Sequence, residues 1–212
     1  MKRETWEKFK NFWKKFWFLI WKDDSLKGWI LSIIVMFVFI KFIFFPVLGL
    51  ITGTSLPLAI VESCSMYHQG NLFSDFDNWW LRHETKYTEI AINKEQFRDF
   101  VFKNGFNKGD ILFIIGEDPK DIKIGDVIIF NAGRNNPLIH RVIKKELNEQ
   151  GKYVFSTIGD NNNGQLSVET GIQETQIIGK ASFKLVPYIG WAKLIFFELS
   201  RQPSERGGCE EN

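Results

Sequence analysis

Cysteine is nearly missing from this chain: there are two, Cys64 and Cys209, about 145 residues apart. No Cys-x-x-Cys pair and no Cys/His cluster occurs, which argues against a structural zinc site. One cysteine inside a short serine-rich run and one in a polar tail make a poor disulfide framework, so the reading predicts no staple and leaves the redox compartment open. Histidine is scarce as well, with only His68, His83 and His140 to supply imidazole chemistry. Charge of either sign has little excess. Lys and Arg number 27 against 25 Asp and Glu, and a net charge of +2 is too small to argue for nucleic acid. There are no internal repeats. Nothing in the sequence implies a cofactor or a metal.

Aromatic residues are abundant instead, and many crowd toward the N-terminal end. Residues 1–27 are basic, and Trp6, Phe9, Trp13, Phe16, Trp17 and Ile20 recur at helical spacing. Such a face suits an amphipathic helix in a lipid interface, with its lysines drawn to anionic head groups. Residues 28–51 form an apolar run long enough to cross a ~30 Å hydrocarbon core, broken only by Lys41 and Pro46. It is too long for the apolar region of a cleaved leader, and no Ala-x-Ala site follows. It therefore reads as a retained anchor. The basic flank places the N-terminus in the cytoplasm and everything after residue 52 outside.

Residues 52–199 read as a mainly β domain. Leu56–Val61 looks like a short strand, and 110–116, 126–130, 138–144, 152–158 and 176–185 are further β-rich runs separated by turn signals such as Asn135-Asn136-Pro137. The fold class expected is an antiparallel β-sheet domain with an N-terminal transmembrane helix and a small helical insertion at 71–108. The insertion holds Asp75, Trp79 and Trp80, then a short helix with Asn93 as N-cap and Gln96 at its third position. Trp79 and Trp80 are expected to pack the insertion onto the domain. Val186–Leu199 is apolar but too short for a second span, and suits a strand turning into a helix that touches the membrane. Residues 200–212 form a polar tail expected to be disordered.

Candidate chemistry lies in three places. Ser65 follows the first strand, in Val61-Glu62-Ser63-Cys64-Ser65-Met66, where a tight turn can lift a side chain above the sheet. A serine needs a neighbouring base before it attacks. His140, in the alternating strand Leu138-Ile139-His140-Arg141-Val142, titrates near neutrality and can be that base. His68 is its local rival, but a separation of three residues does not put its ring on the Ser65 hydroxyl. Asp160, in Gly159-Asp160-Asn161-Asn162, is a turn residue by itself, yet it supplies the carboxylate that fixes a histidine tautomer.

The order of anchor, Ser-x-Ser-Met, Gly125-Asp126-Val127-Ile128, Ile139-His140-Arg141-Val142 and Gly159-Asp160-Asn161-Asn162 resembles type I signal peptidase over roughly residues 29–195. A histidine at position 140 matches the archaeal and endoplasmic-reticulum type. The resemblance implies a membrane serine endopeptidase that removes signal peptides from secretory preproteins, with Ser65 as nucleophile, His140 as base and Asp160 as the first acidic position of the last motif. It implies that the Ser65 backbone N–H and the Ser63 hydroxyl hold the oxyanion, and that Leu58, Ala59, Ile60, Val61 and Met66 line the substrate path. Implied partners are secretory preproteins, the bilayer and the translocation machinery; implied locations are the cell membrane, or the endoplasmic-reticulum membrane in a eukaryote. The chain departs from the pattern at Cys64, where glycine is usual, at His68, where proline is usual, and at Leu166, where many members carry a second Asp. Glu169 is the nearest later acid, so the third catalytic role stands between Asp160 and Glu169. Cys64 as a rival nucleophile or redox sensor, and an inactive membrane adaptor with the same fold, are the other readings.

Overall fold

The computed structural model describes residues 2–70, 76–134, 136–201 and 206–211. The expectations for Asp75, for Asn135 and for tail residues 202–205 and 212 lie outside these. The chain divides into two compact units, Met1–Ile51 and Thr52–Asn212.

The first unit is helical. Helix α1, Lys2–Trp21, carries Trp6, Phe9, Trp13 and Trp17 exposed on its surface. Helix α2, Leu26–Phe39, starts at Ser25, whose hydroxyl accepts from the Gly28 N–H at 3.2 Å. Ser32 Oγ donates to the Ile20 carbonyl at 2.7 Å and ties α2 to the end of α1. The helical path continues through a π-helical turn, Ile40–Phe44, into α3, Phe45–Thr52. Pro46 explains that turn: proline lacks an N–H and crowds the carbonyl four residues back, and a widened turn relieves the crowding. Together Leu26–Thr52 make one apolar helix of 27 residues, about 40 Å long at 1.5 Å per residue. Among the described residues it is the one helix long and apolar enough to cross a membrane.

The second unit is built on a seven-stranded antiparallel sheet in the order β1-β2-β7-β3-β4-β5-β6. The strands are β1 (Leu58–Ile60), β2 (Ile111–Ile115), β3 (Val127–Phe130), β4 (Leu138–Leu147), β5 (Tyr153–Ile158), β6 (Ile172–Gln173) and β7 (Ile177–Val186). Five of them, β2, β3, β4, β5 and β7, come from the β-rich runs as read from sequence, with ends shifted by three residues at most. The first strand is shorter than expected, and the two-residue β6 had no alternation long enough to reveal it. β3 is buried at all four positions because the sheet is covered on both faces there. Strand β1 is an edge, paired on one side with β2 through Leu58–Phe113 and Ile60–Ile111.

Between β1 and β2 in chain order lie helices α4 (Phe76–Thr88) and α5 (Lys94–Arg98). Asn93 caps α5 in a reciprocal box with Gln96, both bonds at 2.9 Å. Phe97, fully buried, meets the rings of Trp79, Trp80 and Tyr87 at centroid distances of 5.2, 5.5 and 4.7 Å. Ile143 and Ile158 of the sheet join the same cluster, so the insertion is part of the domain core. Truncation of Phe97 to Ala is expected to cost about 3–5 kcal/mol. Urea unfolding of the full chain in detergent, followed by tryptophan emission, measures it.

Candidate active site

The turn that carries Ser65 hangs between two loops. Asn161 N–H donates to the Ser65 carbonyl at 2.8 Å and Phe106 N–H to the Met66 carbonyl at 3.0 Å. Gly105 makes the second approach feasible. Its φ of +64° lies in the left-handed region, and a Cβ there would lie 2.4 Å from the Met66 carbonyl oxygen. Met66 is buried beneath Ser65, and its sulfur accepts from the Asp160 N–H at 3.4 Å. Cys64 does not have a positive φ, so the strain that replacing a glycine there would bring is absent.

β4 presents His140 to this turn. Pairing with β3 sets it opposite Ile128 and leaves the ring 2% exposed. His140 Nε2 lies 2.8 Å from Ser65 Oγ, and Ser63 Oγ lies 3.1 Å from Ser65 Oγ. His140 Nδ1 meets Glu169 Oε1. With that assignment the Ser65 hydroxyl donates to Nε2 and the Nδ1–H donates to Glu169.

Glu169 is fully buried, and its carboxylate is held from three directions. Thr157 Oγ1 donates to Oε1 at 3.3 Å, and the Leu166 N–H donates to Oε2 at 2.6 Å. The single 3₁₀ turn Ser167–Glu169 makes this possible, since it folds the side chain back over the Leu166 amide. The acid therefore arrives three residues after position 166.

Asp160 lies elsewhere. Successive residues of a strand face opposite sides, so the residue after His140, Arg141, points away from the serine. Arg141 binds Asp160 through Nε–Oδ1 at 2.9 Å and Nη2–Oδ2 at 2.6 Å, and its remaining N–H groups donate to the carbonyls of Val101, Phe102 and Gly125. Tyr87 Oη donates to Asp160 Oδ1 at 2.7 Å, and His68 Nε2 lies 2.9 Å from Oδ2. The structure thus puts Glu169 and not Asp160 against His140, and gives Asp160 and His68 to a buried network behind the site. Tyr87 and Thr157 belong to these constellations and carried no motif that sequence reading recognises.

Burial alone would raise the Asp160 pKa, but the Arg141 charge and the His68 hydrogen bond hold it well below the usual carboxylate range. Burial lowers the His68 pKa against the pull of Asp160, so the ring is neutral and donates through Nε2. Its buried Nδ1 is then the unprotonated nitrogen, and no hydrogen-bond partner meets it. Burial first, and then Asp160, push the Tyr87 phenol well above its ordinary value, which keeps it a donor.

A disulfide joins Cys64 to Cys209, with the Cα atoms 5.3 Å apart. This overturns the expectation of no staple. The fold brings the tail back to the serine's turn, which a separation of 145 residues conceals. It also corrects the disordered tail for residues 206–211. Gly207 N–H donates to Glu198 at 2.9 Å, and Arg82 donates to Glu211 at 2.8 Å.

A half-buried serine on a buried histidine that is backed by a buried carboxylate is the arrangement that Ser–His–acid hydrolases use. Comparison with known proteins narrows the class. The human signal peptidase complex catalytic subunit SEC11C is 33% identical over 98 residues, 42% of this chain and 50% of that protein. The SEC11 catalytic subunits of Scheffersomyces stipitis and Debaryomyces hansenii are 41% and 40% identical over 58 residues, 27% of this chain and 34% of theirs. The chain is thus similar in sequence to signal peptidase complex catalytic subunits. It spans about half the length or less of the curated relatives it matches. No family model matches it.

The buried network predicts a pH dependence. The folded His68 pKa lies below its ordinary 6.5, so the unfolded chain binds a proton that the folded one refuses, and stability falls as pH drops below about 6.5. His83, shifted down by burial, adds to the same window. Asp160, depressed below 3.8, contributes stability above that value and loses it as pH falls further. Urea midpoints across pH 3–8 (a range set by about the ordinary pKa values) are expected to decline in two stages. His68→Gln, which keeps a donor but does not titrate, is expected to flatten the upper one.

Proposed function

We propose that this protein is a membrane-anchored serine endopeptidase that cleaves signal peptides from secretory preproteins. The observation that carries the reading is the 2.8 Å approach of Ser65 Oγ to His140 Nε2 with Glu169 seated on Nδ1. His140 takes the Ser65 proton as Oγ attacks the scissile carbonyl, and Glu169 holds the imidazole in the required tautomer and stabilises its charged form. The Ser65 N–H and the Ser63 hydroxyl take the oxyanion. His140 then passes its proton to the leaving amine, and water clears the acyl-enzyme. Asp160 acts in this reading as a support, through Arg141 and the loop that grips Ser65.

The substrate's cleavage segment adds in extended form along edge strand β1, where Leu58 and Ile60 are partly exposed and Ala59, Val61 and Met66 form the buried floor. The apolar helix Leu26–Thr52 anchors the protein, with the N-terminus cytoplasmic and the catalytic domain outside. The Cys64–Cys209 bond supports that orientation, because disulfides persist in oxidising compartments. On α1 the exposed Trp6, Phe9, Trp13 and Trp17 lie opposite Lys8 and Lys15, which suits a helix at an anionic lipid surface. Exposed Ile195, Phe196 and Phe197 give the C-terminal end of the domain an apolar face suited to the same bilayer. Other subunits and translocation machinery are partners consistent with the relatives' membership of a complex.

Cleavage of a reporter preprotein in membranes tests the mechanism. Ser65→Ala and His140→Ala are each expected to abolish it while the protein stays folded. Glu169→Gln is expected to lower kcat by about 10²–10⁴-fold. Asp160→Asn is expected to act first on stability, since it unpairs the Arg141 charge. Full activity in Ser65→Ala sinks the proposal.

A further inference from the structure

We infer that the C-terminal segment 206–211 is a positioning element of the active site, fastened to the nucleophile's turn by the Cys64–Cys209 disulfide, and that a dithiol reductant switches its support off. The inference rests on Ser65 being the nucleophile. The bond places the tail one residue from that serine. Asn161 reinforces the junction from the other side: its Nδ2 donates to the Cys64 carbonyl at 3.1 Å and to the Glu210 carbonyl at 2.9 Å. The same residue's N–H holds the Ser65 carbonyl. Tail, serine turn and the 159–162 loop are therefore one junction, closed by one covalent bond and three hydrogen bonds.

The tail is held at its other contacts as well. Lys108, 2% exposed, donates to the Gly207 carbonyl at 3.1 Å and pairs with Glu198 at 2.9 Å. The Glu211 carboxylate meets Arg82 at 2.8 Å and His83 at 3.5 Å on α4. The segment thus ties the serine's turn to the insertion helix, a connection the sheet does not provide. A catalytic hydroxyl that must stay within hydrogen-bond reach of its base gains from every constraint on its backbone, and a displacement of 1 Å at such a centre costs about 10²-fold.

The direction of the effect follows from exposure. With the tail fastened, Ser65 remains partly exposed and Ser63 exposed, so the segment braces the cleft and does not cover it. Releasing it opens no new path to Ser65, which is already partly exposed, and loosens the turn. Both cysteines are partly exposed, within reach of a small dithiol. One thiolate of the dithiol attacks a sulfur of the pair to give a mixed disulfide and one free cysteine. Its second thiol then closes on the first sulfur, releasing the other cysteine and a cyclic disulfide. Two electrons and two protons pass from the dithiol to Cys64 and Cys209.

The full chain in detergent micelles, assayed on a reporter preprotein before and after dithiothreitol, tests this, with freed thiols counted by alkylation and mass spectrometry. Reduction is expected to lower kcat by about 10-fold with KM little changed, and reoxidation by oxidised glutathione to restore it. Cys209→Ser is expected to sit at the reduced value and to ignore dithiothreitol. Undiminished or faster turnover by fully reduced protein overturns the inference, as does a Cys209→Ser variant that still responds. Free thiols at both positions before treatment overturn it too. Loss of the near-ultraviolet tryptophan signal on reduction would show a folding staple instead of a positioning element, and also overturns it. Ser65→Ala run alongside separates the cases: its inactivity upholds the nucleophile whatever the dithiol does.

Discussion

The bidentate pair of Arg141 with Asp160 is the constraint on which the site depends. Both side chains are fully buried, and a buried charge is tolerated only when it is paired and its remaining hydrogen-bonding groups are satisfied. Arg141 meets that demand by reaching three backbone carbonyls from two loops as well as the carboxylate. Asp160 meets it with Tyr87 from the insertion and His68 from the segment after the serine. One ion pair thus gathers β4, the loop after β5, the insertion and the nucleophile's own segment. Because strand side chains alternate, gathering them behind β4 leaves His140 alone on the front, facing Ser65.

The arrangement separates two tasks that one motif suggests belong together. Carboxylates 160 and 169 lie in the same connection between β5 and β6, nine residues apart. Asp160 is kept ionised by a fixed cation and serves rigidity. Glu169 faces the histidine that takes and returns a proton in the proposed mechanism, and its three partners fix its orientation without a permanent cation. An acid next to Arg141 would already be neutralised and less able to stabilise a new positive charge on imidazole.

Much of this was legible in the sequence. The apolar helix, the antiparallel strands and the capping box at Asn93 follow from hydropathy runs, alternation and short-range side-chain chemistry, all local signals. Ser65 and His140 were legible because each sits in a short patterned run. The carboxylate beside His140 was left between Asp160 and Glu169, because its place depends on which side of β4 faces which loop and on a single 3₁₀ turn that brings Glu169 back over Leu166. The disulfide was hidden for the same reason: two cysteines at opposite ends of a domain carry no local pattern, and only the path of the tail makes them neighbours. Cys64, which looked like a flaw in a glycine position, is explained by a partner that lay beyond the motif.

Strand β1 is only three residues long, and the chain beyond it is stopped. Arg201 Nη1 donates to the Glu62 carbonyl at 2.8 Å, and Lys193, Arg201 and Asn136 all engage the Glu62 side chain. Unpaired sheet margins are templates for runaway association between copies, and brevity, charge and a capped carbonyl are the usual defences. Here the plug at Glu62 sets a terminus for any visiting strand. The margin has room for a few residues of one guest and none for the continuous ladder from which a fibril grows.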